Sequence, residues 1–113
     1  MVDKWTYEEL QEFIREDIEE FLNDGLNIRQ ATSRVQVEYA KAIQSSDLEK
    51  LIIFMVLCKE GVEHGFLRDD IKEDTLNLLE QINLEQCDRM IDHDERQRLR
   101  DDMSRTSALL LYI

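Results

Sequence analysis

The side chains most able to do chemistry are His64, the pair His93-Asp94, and the thiols Cys58 and Cys87. Spaced histidines with a His-Asp dyad, or histidines joined by a cysteine, are donor sets that hold a divalent metal. Here too few residues follow His93 to supply a further distant aspartate. Asp92-x-Asp94-x-Arg96 lacks the third oxygen ligand, the glycine and the terminal Glu of a calcium loop. There is no glycine-rich phosphate loop and no Ser/His/Asp arrangement. Carboxylates abound, but on a solvated helical face nothing raises one above its neighbour in the way acid/base catalysis requires. The expectation is a protein without catalytic residues, metal or cofactor. His64, near a helix C-terminus, reads as a cation complementing the helix dipole.

What remains is charge. Residues 1–24 hold nine acids and two bases, a net of −7 within a chain total of −12. Glu8, Glu9, Glu12, Glu16, Asp17, Glu19, Glu20 and Asp24 occupy one half of a helix, relieved only by Arg15. Glu8, Glu12, Glu16, Glu20 and Asp24 are each four apart, and every like-charge pair at that spacing costs an isolated helix ~0.2–0.5 kcal/mol. The early carboxylates recover part of this from the dipole, whereas Glu19, Glu20 and Asp24 sit at the unfavourable end. Such concentration suits either a solvated face or a docking face for a basic partner. Phe13 lies roughly 60° from the Leu10 edge of the apolar sector. It reads as a core-edge aromatic or as an anchor ringed by carboxylates.

The elements that position these residues are helices. Thr6 and Glu9 form a capping box, with Trp5 and Leu10 placed as its hydrophobic staple. Tyr7, Leu10, Ile14, Ile18, Phe21 and Leu22 share one sector, and Asn23-Asp24-Gly25 supplies the stop. Asn27 with Gln30 caps a second helix predicted to run to about Gln44, its stripe being Ile28, Ala31, Val35, Tyr39, Ala42 and Ile43. This is the only net-basic segment, with Arg29, Arg34 and Lys41 against Glu38, cations able to pair with the first helix.

Eight consecutive apolar residues, Leu51 to Cys58, leave no polar face, so their element is buried all round. The Ser46-x-x-Glu49 spacing predicts a reciprocal cap before it, and Gly65 a left-handed stop after it, giving a central helix from Asp47 to His64. Asp69 or Asp70 can cap a fourth helix with Leu67, Ile71, Leu78, Leu79 and Ile82 inward. Asn83 with Gln86 suggests a fresh start, continued by Leu84, Cys87, Met90 and Ile91. From Asp92 to Asp102 eight of eleven residues are charged with mixed sign, as in a solvated helix whose apolar side is Leu99, Met103 and Leu110. The ending Ala108 to Ile113 is apolar enough to pack back on the bundle or into another subunit.

At 113 residues, with no proline and three glycines, the chain fits one domain, 1–113, that is all-α: a single-domain helical bundle of about five or six helices around the central one. A charge of −12 repels phosphate backbones and anionic membranes, so no direct nucleic acid and no membrane is expected as partner, while a basic protein is permitted. Without a secretory start or an apolar run of ~20 residues the location expected is cytoplasmic. Both cysteines then read as reduced, small hydrophobes.

Trp5-Thr6-Tyr7-Glu8-Glu9-Leu10, then Gly25-Leu26-Asn27, Ala31 and Tyr39, resembles the start of the third family of small all-α immunity proteins from bacterial polymorphic-toxin systems. The resemblance covers residues 5–60, with Asn27 standing where Ser or Thr is expected. It implies a cytoplasmic antitoxin that binds and neutralises a cognate toxin domain, often a nuclease. A nuclease cleft is basic, so the partner-binding residues expected are Glu8, Glu12, Phe13, Glu16, Asp17, Glu19 and Glu20. The alternative is an acidic interaction module, a DNA-mimic inhibitor or a helical adaptor that self-associates through its apolar C-terminus.

Overall fold

The computed structural model describes residues 6–82 and 93–112. The staple residue Trp5, the restart at Asn83 with Leu84, Cys87, Met90 and Ile91, and the terminal Ile113 lie outside the described residues. Among the described residues six helices follow in order: α1 (Tyr7–Asn23), α2 (Ile28–Glu38), α3 (Ala40–Ser45), α4 (Asp47–Glu63), α5 (Asp69–Gln81) and α6 (His93–Leu111). No strand is present among the described residues, so the all-α bundle stands.

The run Leu51 to Cys58 is helical and buried at every position, so this helix is wrapped on all sides. Accordingly α4 touches each of the other five helices. Into it pack Tyr7, Leu10, Ile14 and Ile18 from α1, Ile28, Ala31 and Val35 from α2, Ile71 and Leu78 from α5, and Leu99 and Leu110 from α6. Fully burying one such aliphatic side chain contributes about 1.5–3 kcal/mol.

Local grammar sets most boundaries. At α1 the Thr6 hydroxyl accepts from the Glu9 N–H at 3.1 Å while Glu9 accepts from the Thr6 N–H at 3.0 Å. Asn27 and Gln30 repeat this at α2, at 2.9 and 3.0 Å. Helices α1 and α4 end alike. Gly25 and Gly65 take φ of 103° and 87°, and the N–H groups of Leu26 and Phe66 reach back to the carbonyls of Phe21 and Gly61. The central helix therefore stops at Glu63, with His64 as its cap.

Three expectations are corrected. The second helix does not run to Gln44: Tyr39 leaves helical geometry at φ −104°, ψ 20°, and separates α2 from α3. Its stripe Val35, Tyr39, Ala42 and Ile43 continues at helical spacing across the break, so periodicity alone conceals it. At α4 the Ser46 hydroxyl accepts from the N–H groups of Leu48 and Glu49, at 3.1 and 3.2 Å. The reciprocal carboxylate bond is replaced by one from the Ser45 hydroxyl to Glu49, at 3.4 Å. At α5 neither Asp69 nor Asp70 is the cap; Arg68 holds that position without a side-chain bond to the backbone amides of the first turn, and Leu67 precedes it. Arg68 instead forks onto Asp70 at 2.9 and 3.1 Å and donates to the Ser33 hydroxyl at 2.8 Å, tying α5 to α2.

Cys58 is fully buried and its thiol donates to Thr75 Oγ1 at 3.3 Å. Burial pushes that thiol up to about 11, against the smaller opposing pull of the Thr75 contact, so it stays protonated as a small hydrophobe. The C-terminal end divides: Leu110 is fully buried, but Leu111 and Tyr112 are 72% and 89% exposed. Among the described residues no helix is long and apolar enough to cross a membrane.

Candidate partner-binding surface

Because α1 buries Tyr7, Leu10, Ile14 and Ile18 against α4, the opposite side of the same helix must face water. At 100° per residue Glu8, Glu9, Glu12, Glu16, Glu19 and Glu20 fall within about 120° of arc, and all six are exposed. Phe13 borders this arc next to Glu20 and is 39% exposed, a half-covered ring beside carboxylates. The packing of α1 thus brings together most of the expected site residues on one rigid surface.

They are not equivalent. Glu9 accepts from the Thr6 N–H in the capping box. Glu8 pairs with Arg98 of α6 at 3.4 Å, both side chains well exposed, so the pair contributes little to stability. Asp17 is half-buried and accepts from the Tyr39 hydroxyl at 2.6 Å, which joins α1 to the α2–α3 break. Burial first, then that bond to a carboxylate, pushes the Tyr39 hydroxyl well above its ordinary value. Among the described residues Glu12, Glu16, Glu19 and Glu20 form no ion pair. Arg34 reaches α1 through the Phe21 ring, 5.5 Å from its centroid, and pairs with its own Glu38 at 3.7 Å. Arg29 lies 5.6 Å from the Phe66 centroid. Arg34 therefore touches α1 on an aromatic face, and among the described residues the cations of this segment form no ion pair with the α1 carboxylates.

At its other edge α1 meets α6. Tyr7, only 4% exposed, donates its hydroxyl to Asp102, which the Gln11 amide and Arg105 also approach, at 3.4 and 3.3 Å. Burial, then the bond and charge of Asp102, raises the Tyr7 hydroxyl far above its ordinary value. Below this joint a groove of about 310 Å³ opens between α1, α4 and α6, its walls including Met55, Val56 and Leu109. Glu60 lies in it, 9% exposed. Burial and then Glu63 raise its carboxyl, against the opposing pull of His64, Arg15 and Lys59. The groove went unread in the sequence, although an acid two residues beyond an all-buried run is a signal for it. His64 Nε2 stands 3.8 Å from Glu60, giving that histidine a side-chain partner beyond the helix end.

His93 is exposed on α6. Among the described residues no group of three or more His, Cys, Asp and Glu is gathered to hold a metal. The surface is thus a rigid acidic ridge with one aromatic ring, and a groove along its flank.

A family model described as Immunity protein Imm3 matches residues 3–110, beyond the opening half that carries the sequence resemblance. No curated protein and no solved structure matches the chain.

Proposed function

Since the chain belongs to the Imm3 family of immunity proteins, we propose that it neutralises a cognate toxin domain by laying the outer face of α1 over a basic surface of that toxin. The observation carrying this reading is that Glu12, Glu16, Glu19 and Glu20 share one exposed helical face without ion pairs among the described residues. Their mutual repulsion weakens α1 on its own, by about 0.2–0.5 kcal/mol for each i,i+4 pair. A basic partner turns that repulsion into attraction.

Because the face rides on a helix already fixed by four buried side chains, docking requires little ordering. The whole-chain charge of −12 adds long-range steering that speeds encounter. A nuclease fits as the toxin, since its cleft must attract phosphates, and an acidic ridge seated there blocks the substrate. The antitoxin then acts in the cytoplasm. Phe13, beside the carboxylates, serves as the desolvated anchor.

The test is charge reversal. Glu12→Lys with Glu16→Lys is expected to slow association with the purified toxin domain at least about tenfold at low salt and to flatten its salt dependence. The helical circular dichroism should be unchanged. Unaltered association with a retained fold would remove the ridge from the interface.

A second reading is self-association through the C-terminal end, favoured by the exposure of Leu111 and Tyr112 at 72% and 89%. Sedimentation of the wild type against Leu111→Ser with Tyr112→Ser tests it, and a monomeric wild type would discard it.

A further inference from the structure

We infer that the groove between α1, α4 and α6 is a socket for one arginine side chain of the toxin, with Glu60 as its acceptor; this rests on the antitoxin reading above. At about 310 Å³ the groove is at the small end of ligand clefts, which run roughly 300–1,000 Å³. That is room for a long side chain and too little for a folded element.

Glu60 is the reason for a cation. A carboxylate 9% exposed ordinarily collects hydrogen bonds, because burying it without them is costly. Among the described residues the side chain within ion-pair distance is that of His64, whose Nε2 at 3.8 Å is too far for a hydrogen bond. The carboxylate lines the groove, so a donor entering from outside can reach it.

The groove also carries Arg15, Lys59 and Arg105, so charge alone does not decide its occupant. Depth does. All three cations are exposed, whereas the more buried charges are the carboxylates Glu60 and Asp102. Asp102 is already engaged by Tyr7, Gln11 and Arg105, whereas Glu60 has only the long contact to His64 and no side-chain hydrogen bond among the described residues.

Arginine suits this better than lysine. Its guanidinium presents five donors in a plane, is weakly hydrated, and can bridge Glu60 and Glu63, one helical turn apart on α4. Its methylene stem would lie along Met55, Val56 and Leu109. The position fits the docking face as well: Gln11 and Arg15 of α1 line the groove, and Arg15 is only about 20–40° round the helix from Glu8 and Glu19. A partner seated on the acidic ridge overhangs the socket.

The probe is N-acetyl-arginine methylamide, titrated into the full-length protein with isotope-labelled methyl groups. The methyls of Met55, Val56 and Leu109 should shift and saturate, while the lysine analogue shifts them much less. Glu60→Gln should weaken the response about tenfold or more, the loss expected for a charged acceptor. Leu109→Phe, which fills the groove and leaves Glu60 in place, should block it independently; each variant's methyl spectrum reports its fold. Absence of shifts at those methyls, an equal response to lysine, or an undiminished response in Glu60→Gln would overturn the inference. Failure here leaves the α1 ridge standing, because charge reversal at Glu12 and Glu16 tests that face without using the socket.

Discussion

Replacing Gly61 by alanine sets two effects of opposite sign against each other. In the interior of a helix, Gly→Ala ordinarily stabilises by about 1 kcal/mol, because glycine loses the most backbone freedom on folding. At Gly61 an added Cβ would stand 2.7 Å from the Phe66 carbonyl oxygen and 3.3 Å from Leu67 Cδ1. The oxygen belongs to the backbone and cannot swing away: the Phe66 N–H is bonded to the Gly61 carbonyl at 2.8 Å, closing the left-handed stop at Gly65. Relief needs displacement of the Phe66–Leu67 segment, and overpacking of this kind costs about 1–3 kcal/mol. Taking the upper part of that range and subtracting the propensity gain leaves a net loss of about 1–2 kcal/mol. For a chain of 113 residues this is a fall in Tm of roughly 4–8 °C. Thermal and urea unfolding followed by helical circular dichroism reads it. Gly65→Ala is the companion measurement: nothing lies within 4 Å of its added Cβ, so only its φ of 87° resists, at about 1–2 kcal/mol. A Gly61→Ala variant more stable than wild type would refute the close-approach argument and leave Gly61 as an ordinary weak point in α4.

Ser46→Ala removes the acceptor for two amides at the start of the central helix and is expected to cost about 0.5–2 kcal/mol in urea unfolding, whereas Glu49→Ala, which makes no reciprocal bond, should cost less. Tyr39→Phe and Asp17→Ala should each lose about 1–2 kcal/mol, and their double variant little more than one alone, since both remove the same bond. With Tyr112→Phe the remaining tyrosines are Tyr7 and Tyr39, both raised above the ordinary 10.0. Their contribution to stability is complete below pH 10.0 and is lost as pH rises beyond it, because the unfolded chain releases those protons first. Tyrosinate absorbance and loss of helical signal should therefore rise together, and absorbance growing in an intact fold would contradict the burial of both hydroxyls. Glu60 is likewise raised above its ordinary 4.5, so the folded state holds that proton more tightly than the unfolded chain. The stability of wild type relative to Glu60→Gln should improve as pH falls from neutral toward 4.5; a difference independent of pH would show Glu60 to be well solvated.

The helices were legible because what starts and stops them is local. Thr6 with Glu9, Asn27 with Gln30, and the glycines at 25 and 65 act within one turn of chain, so their consequences are present in the spacing of residues. The uninterrupted run from Leu51 to Cys58 required burial on every side, and the cap signals at Ser46 and Gly65 made its element a helix, hence a bundle around it. The acidic arc of α1 was legible for the same reason, since a helix that buries Leu10, Ile14 and Ile18 has only one side left for its carboxylates.

Tertiary structure decided what those residues do. Asp17 and Glu12 look alike in the sequence, yet Tyr39, twenty-two residues on, draws Asp17 into a packing contact and leaves Glu12 in water. Asp102 meets Tyr7 across ninety-five residues and Cys58 meets Thr75 across seventeen, pairings that no period of 3.6 residues encodes. The groove holding Glu60 exists only because α1 and α6 stop short of closing over α4. Hydrophobic periodicity and capping act over a few residues and so can be read along the chain. A side chain's partner depends on which elements are brought together and at what angle, and that is set by how the described helices share one core.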